Sequence, residues 1–522
     1  MKAGRVIGGD EHDARTLATQ IIADAHAEAE QHHAAVRVEL AQLRRDAEEL
    51  GKRLVDDARA EAERTTARAE ADAVRMRDDA RGLANRLVEE ARAGSAATAA
   101  PAAEPATGTV DEVVGLVMRA TVPGVALGEI VRIDRRGREP LAAEVVGFRG
   151  EQAVVLPLGE VAGVAPAGAV WRTGAPLSIR CGEELLGRVL DGIGAPLDGG
   201  RPLGGELWAV DRPAPAALSR PPIAVPLATG VRVLDAMLTL GRGQRVGLFA
   251  AAGVGKSTLL GQIARGATAD VIVLCLVGER GRELAELLKE ELAPARARTV
   301  VVCATSDAPP LVRLRAIDTA TAIAEWFRDR LSASVLLLCD SLTRVARAQR
   351  EVGLSAGEPP ARHGYPPSVF ALLPRLIERA GATPAGVITA IYTVLVAGND
   401  LDEPIADEVR GLVDGHIVLD RRLAQRGHFP PVDVVASASR LMPRVVDPEH
   451  AEAAARIRAQ LAIYEDHRDL ITLGAYQAGR DRAVDDAVLA YPAIEQLLRQ
   501  RRDDLTDWDT SIGHLLTLAG PR

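Results

Sequence analysis

Six apolar runs set the tightest limit on how this chain can fold: RVGLFA (245–250), DVIVLCLVG (270–278), RTVVVCATS (298–306), SVLLLCD (334–340), GVITAIYTV (386–394) and GHIVLD (415–420). A strand with one wet face alternates apolar and polar residues, whereas these runs are apolar at nearly every position. They therefore read as strands buried on both faces. The first four alternate with stretches of helical character, and that alternation predicts a parallel sheet covered by helices on each side. At 522 residues the chain exceeds one ordinary core, so further domains are expected around this sheet.

The first run continues directly into AAAGVGKST (250–258), and the segment STLLGQIARG opens as a helix. Strand, glycine-bearing loop and helix is the context that a phosphate-binding loop requires. Gly253 and Gly255 let the backbone turn tightly and aim its N–H groups inward, and the helix N-terminus adds the positive end of its dipole. Lys256 is placed to reach the β- and γ-phosphates, and the Ser257 hydroxyl to bind Mg²⁺ directly. Residues Ala252, Gly253, Val254, Gly255, Lys256, Ser257 and Thr258 form the expected nucleotide contact. The strict pattern G-x-x-x-x-G-K-[ST] asks for glycine at position 250, where this chain has Ala250.

Two further strand ends carry acid. SVLLLCD ends in Asp340, a carboxylate suited to holding Mg²⁺ through a water. VIVLCLVG is followed by Glu279, placed to polarise a water for in-line attack on a γ-phosphate, and by Arg280, which can neutralise phosphate charge. Arg440, in ASASRLMP, is flanked by small residues that permit close approach to an interface, and an arginine supplied from a neighbouring subunit is a recurring device in phosphoryl transfer.

The remaining chain reads as three other parts. Residues 1–95 contain no proline and no aromatic; apolar positions from Val36 through Leu40, Leu43, Ala47, Leu50 and Leu54, resuming at Met76, Ala80, Leu83 and Leu87, trace a long amphipathic helix with a narrow seam. Residues 96–112, with Pro101 and Pro105, read as a flexible linker. Residues 113–185 contain EVVGLVM, GEIVRI, AEVVGF, QAVVLPL and PLSIRC, spaced as in a small β-barrel. Residues 186–445 form the nucleotide-binding domain, and 446–522 return to helix.

Aromatics make up 3% of the chain, so its cores must be built from Val, Leu, Ile and Ala. A net charge of −9 argues against a surface devoted to nucleic acid. Cys181, Cys275, Cys303 and Cys339 show no C-x-x-C spacing and read as buried thiols of a reducing compartment. No segment has the character of a signal peptide, and none approaches the ~18–20 apolar residues of a membrane span, so a cytoplasmic protein with at most peripheral membrane contact is expected.

GVRVLDAMLTLGRGQRVGLFAAAGVGKSTLLGQ, GERGRELAEL, the stretch DSLTRVARAQREVGLSAGEPPARHGYPPSVF, GNDLDEPIADEVRGLVDGHIVLDRRLAQRGHFPPVDVVASASRLMP and DLITLGAYQAG together resemble the type III secretion and flagellar export ATPases, relatives of the rotary ATP synthase catalytic subunit. The resemblance runs from about Gly115 to the C-terminus. It implies a β-barrel, a RecA-like P-loop domain with a mainly parallel sheet and a C-terminal helical domain, assembled as a homo-hexamer with ATP between subunits. It assigns phosphate and Mg²⁺ roles to Lys256 and Ser257, the catalytic base to Glu279, a γ-phosphate contact to Arg280, the second acidic site to Asp340 and an arginine in trans to Arg440. It also places Phe429 against the adenine. Family members commonly carry alanine at the position of Ala250.

The resemblance further implies a central stalk protein, a stator or peripheral-stalk protein, export-gate membrane proteins and chaperone–substrate complexes as partners, at the cytoplasmic face of the inner membrane. The opening AGRVIGGDEHDARTLATQIIADAHAEAEQ is similar to the start of the stator proteins, which suggests that residues 1–95 are a stator-like segment fused to the enzyme. Two other readings compete: a rotary-type catalytic subunit or RecA-like nucleic-acid translocase, and a nucleotide-binding scaffold without hydrolysis. The GEPPARHGYPPSVF stretch and the acidity oppose the first, and intact Lys256, Glu279, Asp340 and Arg440 oppose the second.

Overall fold

The computed structural model describes residues 107–396 and 400–520, together with Gln42, Glu49 and Lys52. Two units divide the chain, Met1–Glu104 and Pro105–Arg522. In the first, Gln42, Glu49 and Lys52 are helical and exposed; the rest of the expected arm, and the linker up to residue 106, lie outside the described residues.

The second unit begins with six antiparallel strands: β1 (Gly108–Val114), β2 (Val117–Thr121), β3 (Glu129–Arg135), β4 (Arg138–Arg149), β5 (Gln152–Pro157) and β6 (Ala169–Pro176). They close into a barrel in the order β1-β2-β5-β4-β3-β6, sealed by Gly108 opposite Val170. Alternate residues point inward, among them Val110, Met118, Val131, Ile133, Val145 and Val155, and all are buried. Three expectations need correction here. β1 starts at Gly108, inside the stretch read as linker, because its residues find pairing partners on both sides. EVVGLVM is not one strand but the arms of a hairpin turning at Gly115, whose φ of +60° suits glycine. PLSIRC is not a barrel strand: Ser178–Cys181 pairs with Glu206–Ala209 outside the barrel, which β6 has already closed.

The nucleotide-binding domain is built on β7 (Val189–Asp191), β8 (Arg245–Ala250), β9 (Val271–Glu279), β10 (Thr299–Thr305), β11 (Ser334–Asp340), β12 (Val387–Leu395), β13 (Gly415–Leu419) and β14 (Val432–Ser439). Their order is β14-β13-β8-β12-β11-β9-β10-β7. Every pair is parallel except β13 with β14. The expected burial on two faces is visible within β9. Val271, Val273, Cys275 and Val277 join one core with the helices α2 (Pro310–Leu331) and α3 (Leu342–Ala356). Ile272, Leu274 and Leu276 join the other core with α1 (Lys256–Gly266). Strand periodicity thus divides one uninterrupted apolar run between two cores.

The second core also receives the C-terminal helices α4 (Pro448–Thr472), α5 (Arg482–Leu498) and α6 (Trp508–Ala519), through Ala453, Ile457, Leu461, Ile494, Leu498 and Leu515. Asp481 and Asp507 cap the last two helices by accepting from Ala483 N and Thr510 N, each at 2.9 Å. All four cysteines are buried and free. Among the described residues, no helix is long and apolar enough to cross a membrane.

Candidate active site

The parallel strands β8, β9, β11 and β12 end on one edge of the sheet, where Ala250 pairs with Leu395 and Leu276 with Asp340. In open parallel sheets, ligands bind outside this carboxyl edge. The loop from Ala251 to Gly255 leaves β8 there, and α1 begins at Lys256. Gly253 and Gly255 have φ of +77° and +103°, the left-handed region that side chains resist, so the two glycines of the loop are conformationally required. Ala250 is different. It is the fully buried last residue of β8, paired with Leu395 and Leu419, and it belongs to the second apolar core. Nothing at that position calls for glycine.

Three charged side chains converge in front of the loop. Asp340, 1% exposed at the end of β11, accepts from the Thr393 hydroxyl at 2.9 Å and from the Lys256 ammonium. Lys256 Nζ also lies 3.9 Å from Glu279 Oε1. The other side of Glu279 is held by Arg344 Nη1, at 2.6 Å. Burial pushes the Glu279 carboxyl above its ordinary range and the nearby Glu283 adds to this, while Arg344 and Lys256 pull the other way. Sequence reasoning did not find Arg344 or Thr393. The available signal for Arg344 was its place one helical turn beyond Asp340, on the helix that follows β11; Thr393 had none, since a hydroxyl in an apolar run has no pattern of its own.

Other expected residues are more dispersed. Ser257 is exposed at the start of α1, at the mouth of the loop. The Arg280 side chain is turned to solvent, 79% exposed, and lies 3.6 Å from Glu283, so the structure does not bring it onto the phosphate loop. Phe429 is 47% exposed, yet its ring edge lies 3.9 Å from where a Cβ on Gly255 would sit. It walls a cleft shared with Thr258, Gln262 and the segment Arg499–Asp504, an aromatic face beside a phosphate loop. Arg440 is exposed and stands at the opposite edge of the sheet. Its N–H donates to Asp414 O at 3.2 Å, and Asp414 N donates to Arg245 O at 2.8 Å, at the start of β8. One strand of about 3.3 Å per residue separates it from the loop, roughly 16 Å, so it cannot serve its own subunit's site.

The donors near the loop are hard oxygens: the Ser257 hydroxyl and the Asp340 carboxylate. Among the described residues, no group of three His, Cys, Asp or Glu could hold a metal unaided. That combination fits Mg²⁺, which usually takes one or two protein oxygens together with substrate phosphates.

Known proteins similar to this chain identify its family. Residues 230–439 match the model of the ATP synthase alpha/beta family, nucleotide-binding domain, and residues 446–517 that of the T3SS EscN ATPase C-terminal domain. The chain is 48% identical over 402 residues to a flagellum-specific ATP synthase of Bacillus subtilis (strain 168), covering 76% of this chain and 92% of that protein. It is 48% identical over 396 residues to a type 3 secretion system ATPase of Xanthomonas euvesicatoria, covering 75% and 89%. The assembled ATPase EscN of the enteropathogenic E. coli type III secretion system superposes with a TM-score of 0.75 at 42% identity, covering 79% of this chain and 100% of that one. A second structure, EscN in complex with its central stalk EscO, gives 0.74 at 42% identity. Fold, phosphate loop and these relatives together place the chain in the family of type III secretion and flagellum-specific ATPases, P-loop enzymes of the ATP synthase alpha/beta group.

Proposed function

We propose that this protein hydrolyses ATP to energise type III protein export, releasing or unfolding chaperone-bound substrates at an export gate. The observation that carries the reading is the meeting of Lys256, Glu279 and Asp340 in front of a glycine-built loop, in a chain whose relatives are export ATPases.

The residues divide the work. The loop N–H groups from Ala252 to Gly255 and the start of α1, with Ser257 and Thr258, cradle the phosphates, and Lys256 leaves Asp340 to neutralise the β- and γ-oxygens. Ser257 directly, and Asp340 through a water, are the residues that would hold Mg²⁺, which when bound disperses charge on the phosphates. Glu279 orients a water and accepts its proton as the water oxygen bonds to the γ-phosphorus; the bond from phosphorus to the bridging oxygen breaks, leaving ADP and phosphate. Phe429 stacks on the adenine. Arg280 contacts the γ-phosphate once it leaves Glu283. Arg440 stabilises the transition state from the next copy in a ring, here a homo-hexamer, the arrangement that its position on the far edge of the sheet supports.

The same reading gives a central stalk, a stator, gate proteins and chaperone–substrate complexes as partners, and the cytoplasmic face of the inner membrane as the place of action. We further propose that residues 1–95 are a stator-like arm fused to the enzyme. Glu279→Gln tests the chemistry. Turnover is expected to fall by about 10²-fold or more with ATP still bound; full turnover in that variant would remove Glu279 from the mechanism.

A further inference from the structure

The segment after Glu279 is only partly buried: Leu284, Leu287 and Leu288 rest against the second core, and most of the rest faces outward. Gly281–Glu286 is a short helix, and Leu287–Glu291 continues it with wider winding, closed by Leu292 N donating to Leu287 O at 2.9 Å. None of the residues from Gly281 to Glu291 is buried. They border a cavity of ≈ 280 Å³ lined by Leu284, Leu287 and Leu338 on one hand and by Ser257, Glu279 and Asp340 on the other. Three partly buried leucines seat this stretch on the core, and the polar contacts at its two ends fix its position further.

At the near end Arg344 and Lys256 hold Glu279. The far end has its own grip. Arg265, on α1, donates through Nη1 to the Glu291 carboxylate at 2.6 Å and to the Glu291 carbonyl at 2.8 Å, and both side chains are nearly buried. A Cβ on Gly261 would stand 2.8 Å from Glu291 Cβ, so glycine lets α1 come this close. Arg502 adds a third member. Its Nη1 lies 3.9 Å from Glu291 Oε1 and its Nη2 3.6 Å from Glu290 Oε2, while its carbonyl accepts from Arg265 Nη2. Arg502 belongs to the Arg499–Asp504 segment that lines the cleft with Phe429. That segment is tied to α1 by Gln262 Nε2, which donates to Arg501 O and Asp504 O at 3.1 and 3.0 Å.

We infer that Arg265, Glu291 and Arg502 form a positioning clamp that couples occupancy of the base cleft to the placement of Glu279. A base seated against Phe429 fixes the Arg499–Asp504 segment; Arg502 and Arg265 then fix Glu291, and the stretch from Glu291 back to Glu279 takes up its catalytic position. None of the three touches the reacting atoms. The inference rests on Glu279 being the base, and Glu279→Gln tests that assignment separately.

The experiment measures kcat, KM and the affinity for a fluorescent ADP analogue in Glu291→Gln, Arg265→Gln, their double variant and Arg502→Ala. The analogue also reports that each variant is folded. Glu291→Gln and Arg265→Gln are expected to lower kcat about tenfold with KM and ADP affinity within about twofold, since small misplacements of a base cost rate more than binding. The double variant is expected to match the single ones, as residues acting through one contact do. Arg502→Ala, at a largely exposed side chain, is expected to lower kcat in the same direction without loss of folding. Unchanged kcat, a rise in KM alone, multiplying effects in the double variant, or loss of ADP binding throughout would each overturn the clamp.

Discussion

Lys256 sits between two carboxylates that would otherwise repel each other, and all three side chains are largely buried. Its ammonium belongs to both, and a triphosphate competes for it with a larger negative charge. In the proposed mechanism the pH dependence of turnover follows from Glu279. A base must be ionised, and burial holds this carboxyl above the usual glutamate range. The acid limb of kcat/KM is therefore expected above the ordinary titration of glutamate, and Arg344→Gln, which removes an opposing positive charge, should move that limb further toward alkaline pH. A limb that stays put would separate Arg344 from the base. Asp235 behaves in a related way far from the chemistry. Burial raises its pKa to about 6 from 3.8 although Thr229 and Gly230 donate to it. The folded state then holds this proton more tightly than the unfolded chain. Its contribution to stability is fully present below about pH 4 and is lost as pH rises through 6, by about 3 kcal/mol. Asp235→Asn should flatten that part of the stability profile relative to the parent protein in chemical denaturation between pH 4 and 7.

At the scale of elements, the long apolar strands were legible because their burial on two faces leaves no polar position to blur the pattern. The phosphate loop was legible because left-handed backbone at Gly253 and Gly255 needs glycine. Barrel boundaries were less so: β1 overlaps a proline-bearing stretch, and a hairpin about Gly115 reads as one apolar run. Least legible were contacts between distant residues, which leave no local periodicity. Arg315, on α2, donates through Nε to Glu144 of the barrel strand β4 at 2.8 Å, joining two domains across 171 positions of sequence. Arg379, 2% exposed, makes a paired contact with Glu325 on α2, both bonds 2.9 Å, with Asp318 at 3.4 Å. Removing the charge of Glu325 leaves the buried Arg379 with only the longer Asp318 contact to compensate it. Glu325→Gln should therefore destabilise the fold by about 3–5 kcal/mol, seen as a lower denaturation midpoint, whereas exchanging both partners for apolar residues of similar volume should cost much less. A midpoint unchanged in Glu325→Gln would show that the pair carries little of the stability. The orientation of Arg280 was equally hidden, because adjacency to Glu279 in sequence says nothing about which way a residue turns as the strand ends.

For the whole molecule, the account turns on geometry between copies. The loop, Glu279 and Asp340 lie at the carboxyl edge of the sheet, and Arg440 at the other edge, joined to the start of β8 through Asp414. We propose that one copy contributes to two different sites, its loop to one and its Arg440 to the next, as in a head-to-tail ring. That claim is tested most directly by mixing two inactive variants. Glu279→Gln keeps Arg440, and Arg440→Ala keeps Glu279, so in random mixed rings about one interface in four combines both intact residues. The predicted result is turnover well above either variant alone, rising toward about a quarter of the parent protein. A mixture as inactive as its components would contradict a site completed across the boundary between copies.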